Sequence, residues 1–299
     1  MLNFESIIIG AGVAGMTSAI YLKRANVNIL LLEKSAPGGQ INMTAKIENY
    51  PGFTSIDGPS LAMNIFEQVS NLKVPYKYGN VFSIEKKDDL FLIKTDIEQY
   101  TTKTIIIATG RHPKELGLEN EKNLTGRGIS WCAICDGIFF KDKIVAVVGG
   151  GNSALEESLY LSDICTKVYI ILRNNVFRGD KLLQDKIKQK GNIIVKYSTT
   201  IKKLVEDENK LSSLVLNNEE VLKVDGLFIY IGNIPDTSFL NKITINLLDN
   251  YIIVNENMQT NIDGIFACGD VINKDVYQIS TAVGEGAKAA ISVSKYLKK

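Results

Sequence analysis

One arrangement of apolar and small residues occurs twice along this chain. The β-branched run Ile7, Ile8, Ile9 meets Gly10, Gly12 and Gly15; Ala14, Met16, Ala19, Ile20 and Leu22 follow, then an apolar run over residues 27–32 that ends at Glu33. A short continuous apolar run stopped by glycine suits a strand buried on both faces, and the spacing of the next residues suits a helix. The pattern therefore predicts strand, glycine turn, helix, strand. It returns at residues 144–148, followed by Gly149, Gly151 and Ala154, a helix over 154–161 and a strand over 167–172. Two further strands are predicted, over 104–108 running into Thr109, Gly110 and Arg111, and over 265–267 running into Gly269 and Asp270, with a small-residue helix from about residue 284.

The repeated unit has the chemistry of a dinucleotide site. A first glycine permits the tight turn, a second lets backbone N–H groups approach a pyrophosphate at the helix N-terminus, and a third small residue lets helix and strand pack closely. Glu33 lies 23 positions after Gly10 (33 − 10), where a carboxylate can accept hydrogen bonds from ribose hydroxyls. The same count from Gly149 reaches Leu172 (172 − 149), with Arg173 beside it. Loss of the acid and gain of a guanidinium suits a 2′-phosphate, so the second site favours NADP over NAD. Two such sites imply a flavin and a nicotinamide. The strand delivering Gly269 and Asp270 can serve the flavin, with the helix after it turned toward the ring.

These elements predict an α/β chain with two Rossmann-like three-layer dinucleotide-binding domains. Residues 1–112 and 238–299 form a discontinuous FAD-binding domain, and residues 113–237 form an NAD(P)H-binding domain inserted into it. A length of 299 residues accommodates two domains of ordinary size. The formal net charge of +1 supplies neither a basic stripe for nucleic acid nor an acidic tail. No secretory leader and no apolar run of membrane-spanning length is expected, so the predicted location is the cytoplasm, with no membrane partner.

Four cysteines in so long a chain are not a disulfide scaffold. Cys132 and Cys135, separated by two residues in the run from Trp131 to Gly137, can close a small disulfide ring, and a position at the start of a helix favours a reactive thiolate. A zinc site would need about four ligands. Only Cys165, Cys268 and the single histidine, His112, remain, none paired in sequence, so redox chemistry is preferred and Cys165 and Cys268 are expected to be small buried residues. His112 lies before Pro113 in a predicted hinge and is expected to be a surface or packing residue rather than a catalyst. Asp136 has two open roles: donating a proton to a leaving thiolate, or capping the next turn.

Gly10 to Gly15, Gly38-Gly39-Gln40, Glu48 to Gly52, Ala108 to Arg111, Cys132 to Gly137, Gly149 to Ala154, Phe177-Arg178, and Gly269-Asp270 with Gln278 together resemble the low-molecular-weight, bacterial-type thioredoxin reductases. The resemblance spans nearly the whole chain. It implies a homodimer in which NADPH reduces FAD, FAD reduces the Cys132–Cys135 disulfide, and the dithiol reduces thioredoxin. Cys135 would face the flavin, Cys132 would attack thioredoxin, and Asp136 would be the acid. FAD contacts carry over to Gly10, Gly12, Ala14, Gly15, Glu33, Gly39, Gln40, Asn49, Thr109, Gly110, Gly269, Asp270 and Gln278. NADPH contacts carry over to Gly149, Gly151, Asn152, Ser153, Ala154, Arg173 and Arg178. Rotation of the nucleotide domain, with hinges near 111–116 and 232–235, belongs to the same picture.

Two departures stand out. Where the family has His-Arg-Arg before its Phe-Arg, this chain has Leu172, Arg173 and Asn174, so a histidine and one arginine are missing. Each charge-assisted phosphate contact contributes about 1.5–3 kcal/mol. The thinner site also admits NADH, or a protein donor such as ferredoxin, and a thioredoxin-like protein is the alternative to thioredoxin as substrate. Tyr277 stands before Gln278 where the family commonly has arginine. Outside enzyme chemistry, a flavin-bound redox sensor would fit the same parts, and catalytic turnover excludes it. A ferredoxin-NADP reductase of similar architecture would have no use for the cysteine pair.

Overall fold

The computed structural model describes residues 2–44 and 47–298. It divides into two compact units, Met1–His112 with Ile234–Lys299, and Pro113–Asn233. The second crossing falls at 233/234 rather than 237/238. Asp236 explains the difference, because its N–H donates to Gly110 O (3.1 Å) and its carbonyl accepts from Thr109 Oγ1 (2.7 Å), both in the first unit.

In the first unit, β1 (Leu2–Ile9), β2 (Ile29–Glu33), β3 (Tyr76–Tyr78), β4 (Val81–Lys87), β5 (Leu90–Thr95) and β6 (Gln99–Ile107) build one sheet of order β3-β2-β1-β6-β5-β4, joined by the strand Ile265–Ala267 beside β6, and α1 (Val13–Arg24) connects β1 to β2. β1 lies parallel to both β2 and β6, so Ile7, Leu30 and Ile105 stand side by side and are fully buried. That double burial is why these strands are continuous apolar runs. β6 is longer than the predicted 104–108 because its first half pairs antiparallel with β5, while Ile105–Ile107 pair parallel with the strand Ile265–Ala267.

The C-terminal helix spans Ile279–Tyr296 and starts five residues before the predicted 284 (284 − 279). Gln278 and Thr281 form a reciprocal capping box there, a signal masked by the β-branched residues of the first turn. This helix packs on α1 at very short range. A Cβ on Gly286 would lie 2.3 Å from Ala14 O, and Ser18 Oγ donates to Gly286 O at 2.9 Å.

In the second unit the strands Ile193–Lys196, Lys167–Ile171, Ile144–Val148, Gly226–Ile229 and Ile129–Ser130 form, in that spatial order, a parallel sheet. One face of it, with Val145, Val147 and Phe228, packs against Ala154 and Leu161 of the helix Asn152–Ser162. The other face, with Ala146 and Leu227, packs against Leu204, Leu214 and Leu222 of an antiparallel three-stranded sheet. Helix, parallel sheet and antiparallel sheet make the three layers. The central parallel sheet is covered on both faces.

Two glycines of the C-terminal helix separate packing from propensity. Gly286→Ala is expected to cost about 1–3 kcal/mol through the clash with Ala14 O. At Gly284 a Cβ meets nothing within 4 Å, so Gly284→Ala is expected to gain about 0.5–1 kcal/mol. Denaturant titrations of both variants check the opposite signs.

Candidate redox and nucleotide-binding site

The first glycine turn is held open by backbone geometry. Gly10 has φ +104°, and a Cβ there would lie 2.4 Å from Ala108 O. Gly15 closes the helix onto the strand, since a Cβ would lie 1.8 Å from Gly10 O. Gly12 is different. It is the N-cap of α1, has no side-chain cap, and a Cβ there meets nothing within 4 Å. The N–H groups of the first turn, including that of Ala14, thus have no capping side chain, and the 12-residue helix directs its positive end at open space. A pyrophosphate fits this cradle.

Other predicted flavin residues gather around that helix end. Gly39, with φ +60°, backs onto Gly12, its Cβ position 3.4 Å from the Gly12 Cα. Gly269 has φ +78°, and a Cβ there would lie 2.8 Å from the Ala14 Cβ. Glu33 is buried at the end of β2; its Oε2 accepts from Ala11 N (2.6 Å), and its Oε1 from Ser35 N (2.9 Å). Glu33 Oε1 also accepts from Ser35 Oγ (3.0 Å), so Glu33 orders the glycine turn itself and Oε2 keeps a second lone pair for a ribose hydroxyl. A groove beside it is lined by Gly10, Glu33, Lys34, Asn80, Thr109 and Asp236.

Gln40 Nε2 donates to Arg111 O, next to Gly110, whose φ is +69°. Asn49 Nδ2 donates to Gln278 Oε1 at 3.1 Å. Asp270 is ion-paired, 3.3 Å from Arg111 Nε and 3.4 Å from Lys274 Nζ. Glu285, which the sequence pattern did not single out, accepts from Gly269 N (2.9 Å) and Lys274 Nζ (2.8 Å), and burial pushes its carboxyl upward. Tyr277 has the Arg111 guanidinium 4.1 Å from its ring centre. A guanidinium over an aromatic face in this way is a cation–π contact.

The second glycine turn follows the same geometry. Gly149 has φ +141°, and a Cβ would lie 2.2 Å from Tyr230 O. Gly151 is an N-cap with no side-chain cap and open space at its Cβ position. Ala154 is buried and Ser153 exposed on the helix that follows. Asn152 donates to Asp180 Oδ2 (2.9 Å) and accepts from Asp180 N (2.7 Å), which ties down the loop after Arg178. Gly149, Leu172, Arg173 and Arg178 line a cavity of about 470 Å³, together with Lys114 and Tyr230. Among the described residues neither arginine has a carboxylate partner within ion-pair distance. Leu172 is buried against Gly150, whose Cβ position lies 2.3 Å from Leu172 Cδ2. A hydrocarbon occupies the place of the missing carboxylate.

Cys132 and Cys135 are joined in a disulfide at the start of the short helix Ala133–Asp136, where Cys135 N donates to Cys132 Sγ at 3.2 Å. Ser130 and Tyr230 hold this turn, and neither carried a sequence signal. The Ser130 hydroxyl accepts from Cys132 N (3.0 Å) and donates to Asp136 Oδ2 (2.5 Å), and Tyr230 Oη accepts from Ala133 N (2.7 Å). Asp136 therefore faces back along the cysteine turn and caps no later helix with its side chain. Ile138 and Phe139, immediately after it, are 59% and 70% exposed. Cys165 and Cys268 are buried, and burial pushes their thiols up to about 11 and about 12. His112 is exposed, which decides for a surface residue over a packing one. No group of metal-ligating side chains occurs among the described residues, and no described helix is long and apolar enough to cross a membrane.

The family model for pyridine nucleotide-disulphide oxidoreductases matches residues 4–286. The thioredoxin reductase of Bacillus subtilis is 40% identical over 99% of this chain and 95% of its own length. That of Mycoplasma genitalium is 41% identical over 97% and 94%. The crystal structure of Lactococcus lactis thioredoxin reductase in its FR conformation superimposes with a TM-score of 0.87 at 40% identity, covering 99% of both chains. With two uncapped glycine turns and a closed cysteine pair in place, and with similarity along nearly its whole length, this chain belongs to the pyridine nucleotide-disulphide oxidoreductase family.

Proposed function

We propose that this chain is a thioredoxin-disulfide reductase that passes electrons from NADPH through FAD and the Cys132–Cys135 disulfide to thioredoxin. The observation that carries the proposal is the closed cysteine pair, set in the same compact unit as a nucleotide cavity with two unpaired arginines. Similarity to thioredoxin reductases along nearly the whole chain supports the choice of protein substrate. A homodimer, which the resemblance in the sequence implies, and a cytoplasmic location belong to the same proposal.

FAD, held by the first glycine turn with Glu33, Gln40, Asn49, Thr109, Gly110, Asp270 and Gln278 around it, would supply the step from hydride to electron-pair chemistry. The residues do the rest. Arg173 and Arg178 are assigned to the 2′-phosphate, and Gly149 with the uncapped first turn of the helix Asn152–Ser162 to the pyrophosphate. Once the pair is reduced, the Cys132 thiolate forms a bond to one thioredoxin sulfur, and the other thioredoxin sulfur leaves with a proton from the Asp136 carboxyl. Cys135 then gives up its thiol proton and attacks Cys132 Sγ; the bond from Cys132 to thioredoxin breaks, the leaving thioredoxin sulfur takes up that proton, and the internal disulfide is re-formed with thioredoxin released as a dithiol. Ser130, hydrogen-bonded to both Cys132 N and Asp136, keeps acid and nucleophile in register. Exposed Ile138 and Phe139 offer the incoming protein an apolar contact beside the cysteines.

Three outcomes test the proposal. Cys132→Ser is expected to abolish NADPH-dependent thioredoxin reduction in steady state while NADPH still bleaches the flavin; surviving turnover would sink the proposal. Arg173→Ala and Arg178→Ala are each expected to raise the KM for NADPH about 10- to 100-fold and leave the KM for NADH unchanged, since a lost phosphate contact is worth about 1.5–3 kcal/mol. Equal effects on both nucleotides would remove the arginines from the 2′-phosphate. Phe139→Ala is expected to raise the KM for thioredoxin several-fold with unchanged flavin bleaching, measured by stopped flow.

A further inference from the structure

The cysteine turn rests on the helix Asn152–Ser162. A Cβ on Gly137 would lie 3.2 Å from both Leu161 Cδ2 and Tyr160 Cε1. Glu157 precedes Leu161 by four residues and so shares its face of that helix, one turn nearer the N-terminus. Its Oε2 is fully enclosed and has no hydrogen-bond partner among the described residues. An ionised carboxylate without donor or counter-ion is costly in such a place. Burial first, and then the neighbouring Glu156, push this carboxyl up to about 7.

Tyr230 connects Glu157 to the cysteines. Its hydroxyl accepts from Ala133 N at 2.7 Å, between the two sulfurs in sequence. Burial pushes that hydroxyl above its ordinary range, and the negative charges of Glu157 and Asp136 push it further. The charge on Glu157 is therefore felt at the atom that holds the cysteine turn. Other charged or titratable groups on the elements packed against this helix are Asp136 on the cysteine turn, Lys167 and Tyr169 on the adjoining strand, and Lys181, Asp185, Lys186 and Lys188 on the helix Lys181–Gln189. Lys188 is paired with Asp185. Among the described residues no lysine is ion-paired with Glu157.

We propose that Glu157 is a positioning residue of the redox centre, which binds a proton when the Cys132–Cys135 disulfide is reduced and releases it when the disulfide re-forms. The proposal rests on the pair being redox-active. Two electrons from the reductant break the S–S bond, leaving one sulfur as a thiol, with a proton from solvent, and the other as a thiolate. The new negative charge raises the cost of an ionised Glu157, which takes a second proton from solvent. When a substrate disulfide removes the two electrons, the thiolate charge disappears and Glu157 returns its proton. Reduction at neutral pH is thereby kept close to charge-neutral beneath the cysteines.

The test uses the full-length flavoprotein reduced by dithiothreitol, so it does not depend on which nucleotide or protein the enzyme uses. The rate of iodoacetamide alkylation at the cysteine pair, followed against pH, is expected to rise in two steps. In Glu157→Gln it should rise in a single step at lower pH and be about 3- to 10-fold faster at pH 7, and Glu157→Asp should restore the two steps. Superimposable profiles for the parent and Glu157→Gln would overturn the proposal. Redox-difference infrared spectra of the unsubstituted protein offer a second route. Reduction above pH 7 should add a protonated-carboxyl band that persists in Asp136→Asn, and its absence would overturn the proposal equally. Should dithiothreitol leave the pair oxidised, the redox function itself fails. The buried carboxyl also predicts a sign. Its folded value of about 7 lies above the ordinary 4.5, so the oxidised protein loses stability as pH rises between them. The melting advantage of Glu157→Gln over the parent should therefore grow across that window and level off above it.

Discussion

Two helix N-termini that the chain leaves without side-chain caps are the constraint around which the other features are arranged. At Gly12 and at Gly151 the backbone enters a helix with no side chain accepting from its first N–H groups. A helix end of this kind is unsatisfied until a ligand or water reaches it. Everything adjacent keeps it reachable: positive-φ glycines at Gly10 and Gly149 turn the chain sharply, and no Cβ stands in front of either cap. The parallel sheets supply the rigidity, because strands buried on both faces cannot shift register without exposing an apolar face.

The two sites differ in what stands at the end of the second strand. Glu33 is drawn back into its own turn by Ala11 and Ser35, so it fixes the shape of the first cradle as well as offering lone pairs. Leu172 packs over Gly150 and leaves the second cradle to Arg173 and Arg178. A carboxylate on one side and guanidinium groups on the other are a difference in sign, and sign decides which phosphates and hydroxyls each site tolerates. In the second unit, the strand end that closes the nucleotide cavity also supplies Tyr230, which holds the cysteine turn. Redox turn and nucleotide cavity share a wall.

Much of this was legible in the residues. Gly10, Gly12 and Gly15 with Glu33, the second set at Gly149 and Gly151, and the spacing of Cys132 and Cys135 are local signals, each tied to a turn or a short ring. The strand Ile144–Val148 and the strand Ile265–Ala267 have the extents their apolar runs predict. Boundaries set by partners were less legible. β6 runs back to Gln99 because β5 is there to pair with it, and the C-terminal helix begins at Ile279 because Gln278 and Thr281 cap each other. Asn152 shows the same limit at a side chain, since its position beside a glycine turn suggests a ligand contact, whereas Asp180 engages both ends of its amide.

By itself the sequence determined the repeated strand-turn-helix units, the reactive cysteine pair and the change from acid to base at the second site, because each depends on residues close together in the chain. Only the tertiary structure decided which groups surround them. Ser130 reaches Asp136, Tyr230 reaches Ala133 across about a hundred positions, Arg111 lies over Tyr277, and Glu157 Oε2 is enclosed without a hydrogen-bond partner among the described residues. Burial and long-range contact set the charge and hydrogen bonding of those groups, and neither is encoded at any single position. The local pattern names the reacting atoms, and the packing of distant segments sets where their protons can be held.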